Sequence, residues 1–441
     1  MNTKILFLVV LCAYTFGNAQ TKKWTLDECV SYALENNISI QKSKLEIESS
    51  KIDIQTSKGN FLPNLNANLS HSWRTGLNTD PVTNSNVIAT TQSTGVGVNS
   101  NVTLYDGMRN IKQLHRSNLN LLSKQYQLDD MKDNISLNVC NAFLQIVFNK
   151  ESLKALKEQY NLSNKEVART KELVNAGSKP KGDLLEIEAT LADQEKAIVT
   201  MENNILISKL TLFNLLVLED FEHFDIADDT YELIPTDITN NSPSEIYNKS
   251  LTVRNDIKLS EVAIEIAEND IKISKGAYLP TLNASFGFNT SYFNPHDFNW
   301  TNLLTQFRDN RGFSYGLGLS IPIFNRFQTR NAVKKSRLQL EQAKLDLEQS
   351  KFNLRDKVYQ AFNDTKGALK TYEASQKALE ARTLAYEYAT EKFNLGAMDS
   401  FTFNQSKTSY VNAETDLIKA KYDYIFKLKV LEFYFGVPIN L

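Results

Sequence analysis

The sequence predicts an α+β membrane protein. A long α-helical coiled-coil barrel continues a transmembrane β-barrel that trimerisation completes, with four strands per chain and 12 in total. Three observations lead there. The chain carries one structural unit twice. Each unit holds two strand patterns with one apolar face and one polar, nearly uncharged face. Each unit also holds an uninterrupted helical pattern of some 67 residues, which at 1.5 Å per residue is about 100 Å, more than a compact soluble domain needs.

Composition narrows the classes first. Of 441 residues, 42% are hydrophobic and 23% charged, enough apolar material for a packed core. The net charge of −2 excludes a general nucleic-acid surface, which needs a basic excess. Sixteen glycines and nine prolines are few for this length and point to long elements. At the N-terminus, Lys4 precedes an apolar run from Ile5 to Phe16 and then Gly17-Asn18-Ala19. This reads as a signal peptide over 1–19, with an N-terminal anchor as the alternative. No other stretch is long and apolar enough for a membrane helix, so entry into a membrane requires strands. Cys29 and Cys140 then remain, as one disulfide or two buried free thiols.

The repeat is direct. SKGNFLPNLNA at 57–67 returns as SKGAYLPTLNA at 274–284, identical at 8 of 11 positions. Further along, Val139, Ala142, Phe143 and Gly177 correspond to Val358, Ala361, Phe362 and Gly396. The first repeat is placed at 20–219 and the second at 244–441, with an irregular, acidic linker at 220–243 containing Asp228-Asp229 and Pro235. Each begins with a helix, at about 25–57 and 243–274, with Thr25 and Ser242 or Ser244 as caps. Strands follow at 61–75 and 94–105, then at 278–293 and 313–324. Loops at about 74–93 and 294–312 face outward. Long helices at 108–174 and 327–394 lead through glycine turns to return helices at 182–218 and 400–436.

The strand patterns alternate with period two, apolar toward lipid and polar toward a wet lumen. The lumen face is assigned to Asn64, Asn66, Asn68, Asn99, Asn101, Asn283, Ser285 and Asn289. The lipid face is assigned to Leu65, Leu69, Val98, Val102, Phe286, Phe288, Leu317 and Leu319. A soluble half-buried sheet alternates in the same way. Against it stand the small number of strands, the almost uncharged polar face, and aromatics such as Trp73, Tyr105, Tyr292 and Tyr315 near strand ends. Four strands cannot close a barrel and open edges are excluded from lipid, so copies must combine. The helices show apolar residues at about 3–4 spacing, as at Leu119, Leu122, Tyr126, Met131, Ile135, Val139, Phe143 and Ile146, which is coiled-coil packing. A solid rod would satisfy the helices alone; the strands argue for a tunnel.

On these residues the chain resembles the TolC-type outer membrane efflux proteins, or outer-membrane factors, over essentially its whole mature length. The doubled K-G-x-x-L-P-x-L-N at Lys58–Asn66 and Lys275–Asn283 carries the resemblance. So do Leu104-Tyr105-Asp106-Gly107, the tips at Ala176-Gly177-Ser178 and Leu395-Gly396-Ala397, and the closing Phe433-Tyr434-Phe435-Gly436-Val437. The resemblance implies a homotrimer in the outer membrane with its helical barrel in the periplasm. It implies a periplasmic adaptor docked at those tips and an inner-membrane transporter, proton-driven or ATP-driven, supplying energy. It implies an exit duct for efflux or type I secretion. Family members that close the periplasmic mouth with acidic rings do so just after the second tip. Thr402 and Gln405 stand there, and Asp183 and Glu186 are their first-repeat counterparts. Asp183 has a second reading, as charge favourable at a helix N-terminus.

An enzyme is not expected. His71, His115, His223 and His296 are scattered, and no phosphate loop, HExxH or GxSxG occurs. Neither a cofactor nor a metal site is expected, nor a nucleic-acid partner. The rival to the duct is a periplasmic coiled-coil scaffold or adaptor without a pore.

Overall fold

The structure, a computed structural model, describes residues 23–79, 84–227, 237–295 and 302–437. The leader expected at 1–19, Asp228-Asp229, Pro235 and His296 lie outside these. The chain forms two compact units, one from residues 45–126 and 258–348, the other from the remainder.

The first of these contains the sheet. Strands β2 (Asn66–Thr79), β3 (Asn86–Tyr105), β5 (Thr281–Pro295) and β6 (Gly312–Ser320) lie in the order β2-β3-β5-β6, every neighbour antiparallel. Register keeps like with like. Asn66 faces Asn99, Asn99 faces Gly287 and Gly287 faces Ser314; on the other side Ala67, Val98, Phe288 and Phe313 form a row. Phe288–Phe313 and Phe286–Tyr315 ring centroids lie 5.2 and 5.4 Å apart, cross-strand pairs that add to the register's stability. Between Thr103 and Tyr105 the register slips at a bulge.

The strand bounds differ from those expected. The first strand starts at Asn66 rather than 61, because Pro63 has no N–H to donate. Asn64 and Leu65 therefore precede it, although Asn64 still bonds Asn101 twice, N–H to carbonyl at 3.0 Å and Oδ1 from the amide at 2.8 Å. Likewise Thr281 opens β5 directly after Pro280, and β6 stops at Ser320, two residues before Pro322. The outward loop expected at 74–93 is much shorter, since β2 runs to Thr79 and β3 starts at Asn86. The one expected at 294–312 carries a short helix, α7 (Leu303–Asp309).

The initial helices are each two helices rather than one. They are α1 (Leu26–Asn36) and α2 (Ile38–Gly59), then α5 (Pro243–Val253) and α6 (Asn255–Gly276). The breaks fall at Asn37 and Arg254, which adopt ψ near 130°. Asn37 Nδ2 donates to the Leu215 carbonyl at 3.0 Å, and its Oδ1 accepts from the Ser39 amide at 2.9 Å. Arg254 is 7% exposed and reaches Asp130 at 3.2 Å and Asp133 at 3.5 Å, with Phe433 under its guanidinium at 4.4 Å. The caps are Thr25 and Ser242, both in full capping boxes with Glu28 and Glu245.

The long helices are α3 (Arg109–Asn175) and α8 (Gln328–Asn394), 67 residues each; the return helices are α4 (Lys181–Leu216) and α9 (Ser400–Phe435), 36 residues each. Paired serines recur in both repeats, Ser57–Ser117 at 2.8 Å and Ser274–Ser336 at 2.9 Å. Strand-to-helix corners also recur. Gly107-Met108 and Arg326-Phe327 all have positive φ, a conformation costly for the three residues that are not glycine.

In the other unit, β1 (Lys23–Trp24) pairs in parallel with β4 (Asp225–Ile226), inside what was expected to be plain linker. They cover a core of Leu26, Ile40, Val139, Phe143, Ile146, Leu212 and Leu216. Each such side chain contributes about 1.5–3 kcal/mol on burial. Cys29 and Cys140 both lie in this core as free thiols, and burial pushes the Cys140 thiol up to about 12.

Candidate functional site: sheet faces and helix tips

Two places carry chemistry suited to a conduit, one in each unit. In the sheet unit, strict alternation sorts Asn66, Asn68, Asn99, Asn101, Asn283, Ser285 and Asn289 to one face. Leu69, Val98, Val102, Phe286, Phe288, Leu317 and Leu319 go to the other. The apolar face is bare: Leu69, Trp73, Tyr315 and Leu317 are each at least 66% exposed. His71 shares it, bonded to Thr94 Oγ1 at 2.7 Å and edge-on to Trp73 at 4.1 Å.

The polar face follows a rule the sequence reading missed. Along much of it a larger polar residue stands opposite a glycine: Asn68 by Gly97, Ser70 by Gly95, Ser314 by Gly287, Asn289 by Gly312 and Ser285 by Gly316. A methyl group on Gly97 would sit 2.7 Å from Asn68 Oδ1, and one on Gly287 2.6 Å from Ser314 Oγ. The side chains therefore lie over the glycines of the neighbouring strand. The signal was present as G-V-G in strand two and G-L-G in strand four.

In the other unit the two tips share one construction. Gly177 and Gly396 have φ of +74° and +72°. At the first tip the Gly177 and Ser178 amides donate to Val174 and Leu173 carbonyls at 3.0 and 2.8 Å. At the second, Gly396 and Ala397 donate to Phe393 and Lys392 at 3.1 and 2.8 Å. These are Schellman closures, which satisfy the last helical carbonyls. Ala176 and Leu395 are their entry residues. The tips meet: Lys179 Nζ lies 3.5 Å over the Phe393 ring, and Arg169 donates to Asn394 Oδ1 at 2.6 Å. Phe393 stacks on Phe403 at 4.4 Å. A groove of about 400 Å³ runs along this contact, lined by Lys165, Glu166, Arg169, Lys179, Tyr386 and Phe403 among others. Burial, ahead of the nearby charges, holds the Lys179 ammonium below its ordinary pKa and raises the Tyr386 phenol. Beneath it Lys407 bonds Glu166 and Ser163, each at 2.8 Å.

The candidate gate residues have local explanations. Asp183 sits in the first turn of α4, and Glu186 is exposed one turn on. Thr402 donates its amide and hydroxyl to Asp399 at 2.9 and 2.7 Å, and Gln405 is exposed beside it. Asp399, the N-cap of α9, is thus the carboxylate at the second tip. Sequence reasoning passed over it, although Asp three residues before Thr is a readable cap. Its pKa is lowered by the Thr402 amide and then the Thr402 hydroxyl. The folded-state pKa lies below the ordinary 3.8, so the cap's stabilisation is present above that pH and fades as pH falls through the lower value. Asp399→Ala is expected to speed amide exchange in the first turn of α9 while Asp399→Asn leaves it protected, read by hydrogen exchange on residues 400–403.

A bare apolar sheet face backed by a polar one that carries a single charge, in a chain that also builds paired antiparallel helical hairpins, defines a subunit of a membrane channel. The chain matches the family described as outer membrane efflux protein over residues 29–216 and 246–437, and it belongs to that family. Outer membrane efflux protein BepC of Brucella suis biovar 1 (strain 1330) is 21% identical over 427 residues, 95% of this chain and 87% of that protein. The CmeC outer membrane channel of Campylobacter jejuni has the same fold at TM-score 0.81 and 18% identity, over 93% of this chain and 85% of that one. CusC, described in terms of folding and transmembrane channel formation, matches at TM-score 0.80 and 17% identity, over 96% and 95%. The protein is an exit duct of the outer membrane, a channel and not an enzyme, with its helical part in the periplasm.

Proposed function

We propose that three copies close a 12-stranded barrel and that the polar sheet face lines its lumen. The observation that carries this reading is the sheet itself. Its apolar face is exposed, its outer strands β2 and β6 each have one edge unpaired among the described residues, and those strands run antiparallel, so β6 of one copy fits β2 of the next. Asn66, Asn68, Asn99, Asn101, Asn283, Ser285 and Asn289 then face water; Leu69, Val98, Val102, Phe286, Phe288, Leu317 and Leu319 face lipid. The paired tips, with Ala176, Gly177, Ser178, Leu395, Gly396 and Ala397 at their turns, receive a periplasmic adaptor, which joins the duct to an inner-membrane transporter. Asp183 and Glu186, with Asp399 in place of Thr402 and Gln405, supply the carboxylates of the periplasmic mouth.

The test is capture in cells with photocrosslinkers at Ser178 and Ala397. A covalent adhesion to an adaptor at both positions supports the reading, and the pump found with that adaptor sorts efflux from secretion. A protein that leaves membranes in a salt wash and captures nothing at either tip overturns it in favour of the scaffold.

A further inference from the structure

The four strands β2, β3, β5 and β6 hold one formal charge among them, Arg74. Its face is settled by register. β2 pairs with β3 without interruption from Asn66↔Asn99 to Thr79↔Asn86, so Arg74 shares a face with Asn66 and Asn68 and stands opposite Thr91. Two residues earlier on that face, Ser72 Oγ meets Ser93 Oγ at 2.9 Å. His71 and Trp73 meet on the opposite face. Arg74 is exposed, and its hydrogen bond here is through its backbone carbonyl, which accepts from Thr91 Oγ1 at 3.2 Å. It lies eight residues along β2 from Asn66, about 27 Å at 3.4 Å per residue, at the end away from the entering helix α2. Outside the strands, Arg308 in the short helix after β5 is matched by Asp309 at 2.9 Å.

We infer that Arg74, repeated three times around the closed barrel, makes the outer end of the passage selective for anionic solutes. The inference rests on the proposal that the polar face is the lumen. A guanidinium keeps its charge at every physiological pH. Three of them on an otherwise neutral wall lie within about one Debye length (~10 Å at 0.1 M salt) of anything crossing that level. A ring of like charge of this kind sets selectivity by attracting counter-ions and repelling co-ions. The chemistry favours cargo bearing carboxylate, phosphate or sulfate groups over cationic cargo at the last step of exit.

The experiment is reversal-potential measurement across a potassium chloride gradient, using the full-length protein in planar bilayers. Arg74→Ser is expected to lower the chloride-to-potassium permeability ratio several-fold, and Arg74→Asp to lower it further. Arg74→Lys should keep the original ratio. Arg74→Cys, treated from the outer side with an anionic methanethiosulfonate reagent, should shift toward the Asp variant; Cys29 and Cys140, being buried, do not compete for the reagent. Equal reversal potentials in all variants, with conductance intact and no response to the reagent, overturn the inference and leave the duct standing. Failure of the unaltered protein to conduct overturns the lumen reading and the inference with it.

Discussion

Gly107→Ala is expected to abolish recovery of the protein in the outer membrane. Gly107 turns the chain from β3 into α3 with φ at +74°, where a side chain costs about 1 kcal/mol. The larger cost is steric. A methyl group there would lie 2.2 Å from the Gly276 carbonyl oxygen and 2.9 Å from Leu279 Cβ. Gly276 is equally constrained, since a methyl on it would sit 2.7 Å from the Gly107 carbonyl. Two backbones in contact cannot give way as a flexible side chain does, so the total should exceed about 3 kcal/mol. Gly177→Ala is the matched control. It has the same φ of +74° with no atom within 4 Å, so it should lose about 1 kcal/mol and still assemble. The readout is the heat-modifiable oligomer band from outer-membrane fractions. Equal recovery of both variants would show that the Gly107–Gly276 contact does not constrain folding.

Arg254→Leu is expected to destabilise the helical unit by about 3 kcal/mol, the low end for breaking a buried ion pair. The low end applies because Asp130 and Asp133 keep about a third of their side-chain surface in water, at 31% and 35%. Both carboxyls are already held above their ordinary pKa by burial, with Arg254 opposing the shift. A raised folded-state pKa means ionisation costs stability above that pKa and the cost vanishes below the unfolded value. Without Arg254 the pKa values rise further. The deficit of the variant should therefore be largest at neutral pH and shrink as pH falls toward the ordinary carboxylate value of 3.8, in denaturant melts followed by circular dichroism. A deficit that grows on acidification would contradict this assignment.

The sheet and the long helices were legible because period two and period 3.6 persist there for many turns. The faces of Asn68 and Leu69 follow from alternation alone. The breaks at Asn37 and Arg254 were not legible, since neither is glycine or proline and each is stabilised by groups distant in sequence, Leu215 and Asp130. The β1–β4 pairing was hidden because two-residue strands have no period. Helix Leu303–Asp309 is too short to show one; it is fastened to β5 by Gln306, which bonds the Phe293 amide and carbonyl at 3.0 and 3.1 Å. At the tips the glycines were readable as turns, whereas the contacts of Arg169, Lys179 and Lys407 join residues up to 244 apart in sequence and leave no local trace.

The alternation of glycine with asparagine or serine has a geometrical result for the proposed barrel. Side chains that lie across a glycine next door add little height to the wall. The free cross-section is then set by the diameter of the strand cylinder, and not by how far individual residues reach inward. Along the glycine-paired stretch a solute crossing that barrel would meet amides and hydroxyls at nearly one radius, before the level at which Arg74 extends from the wall.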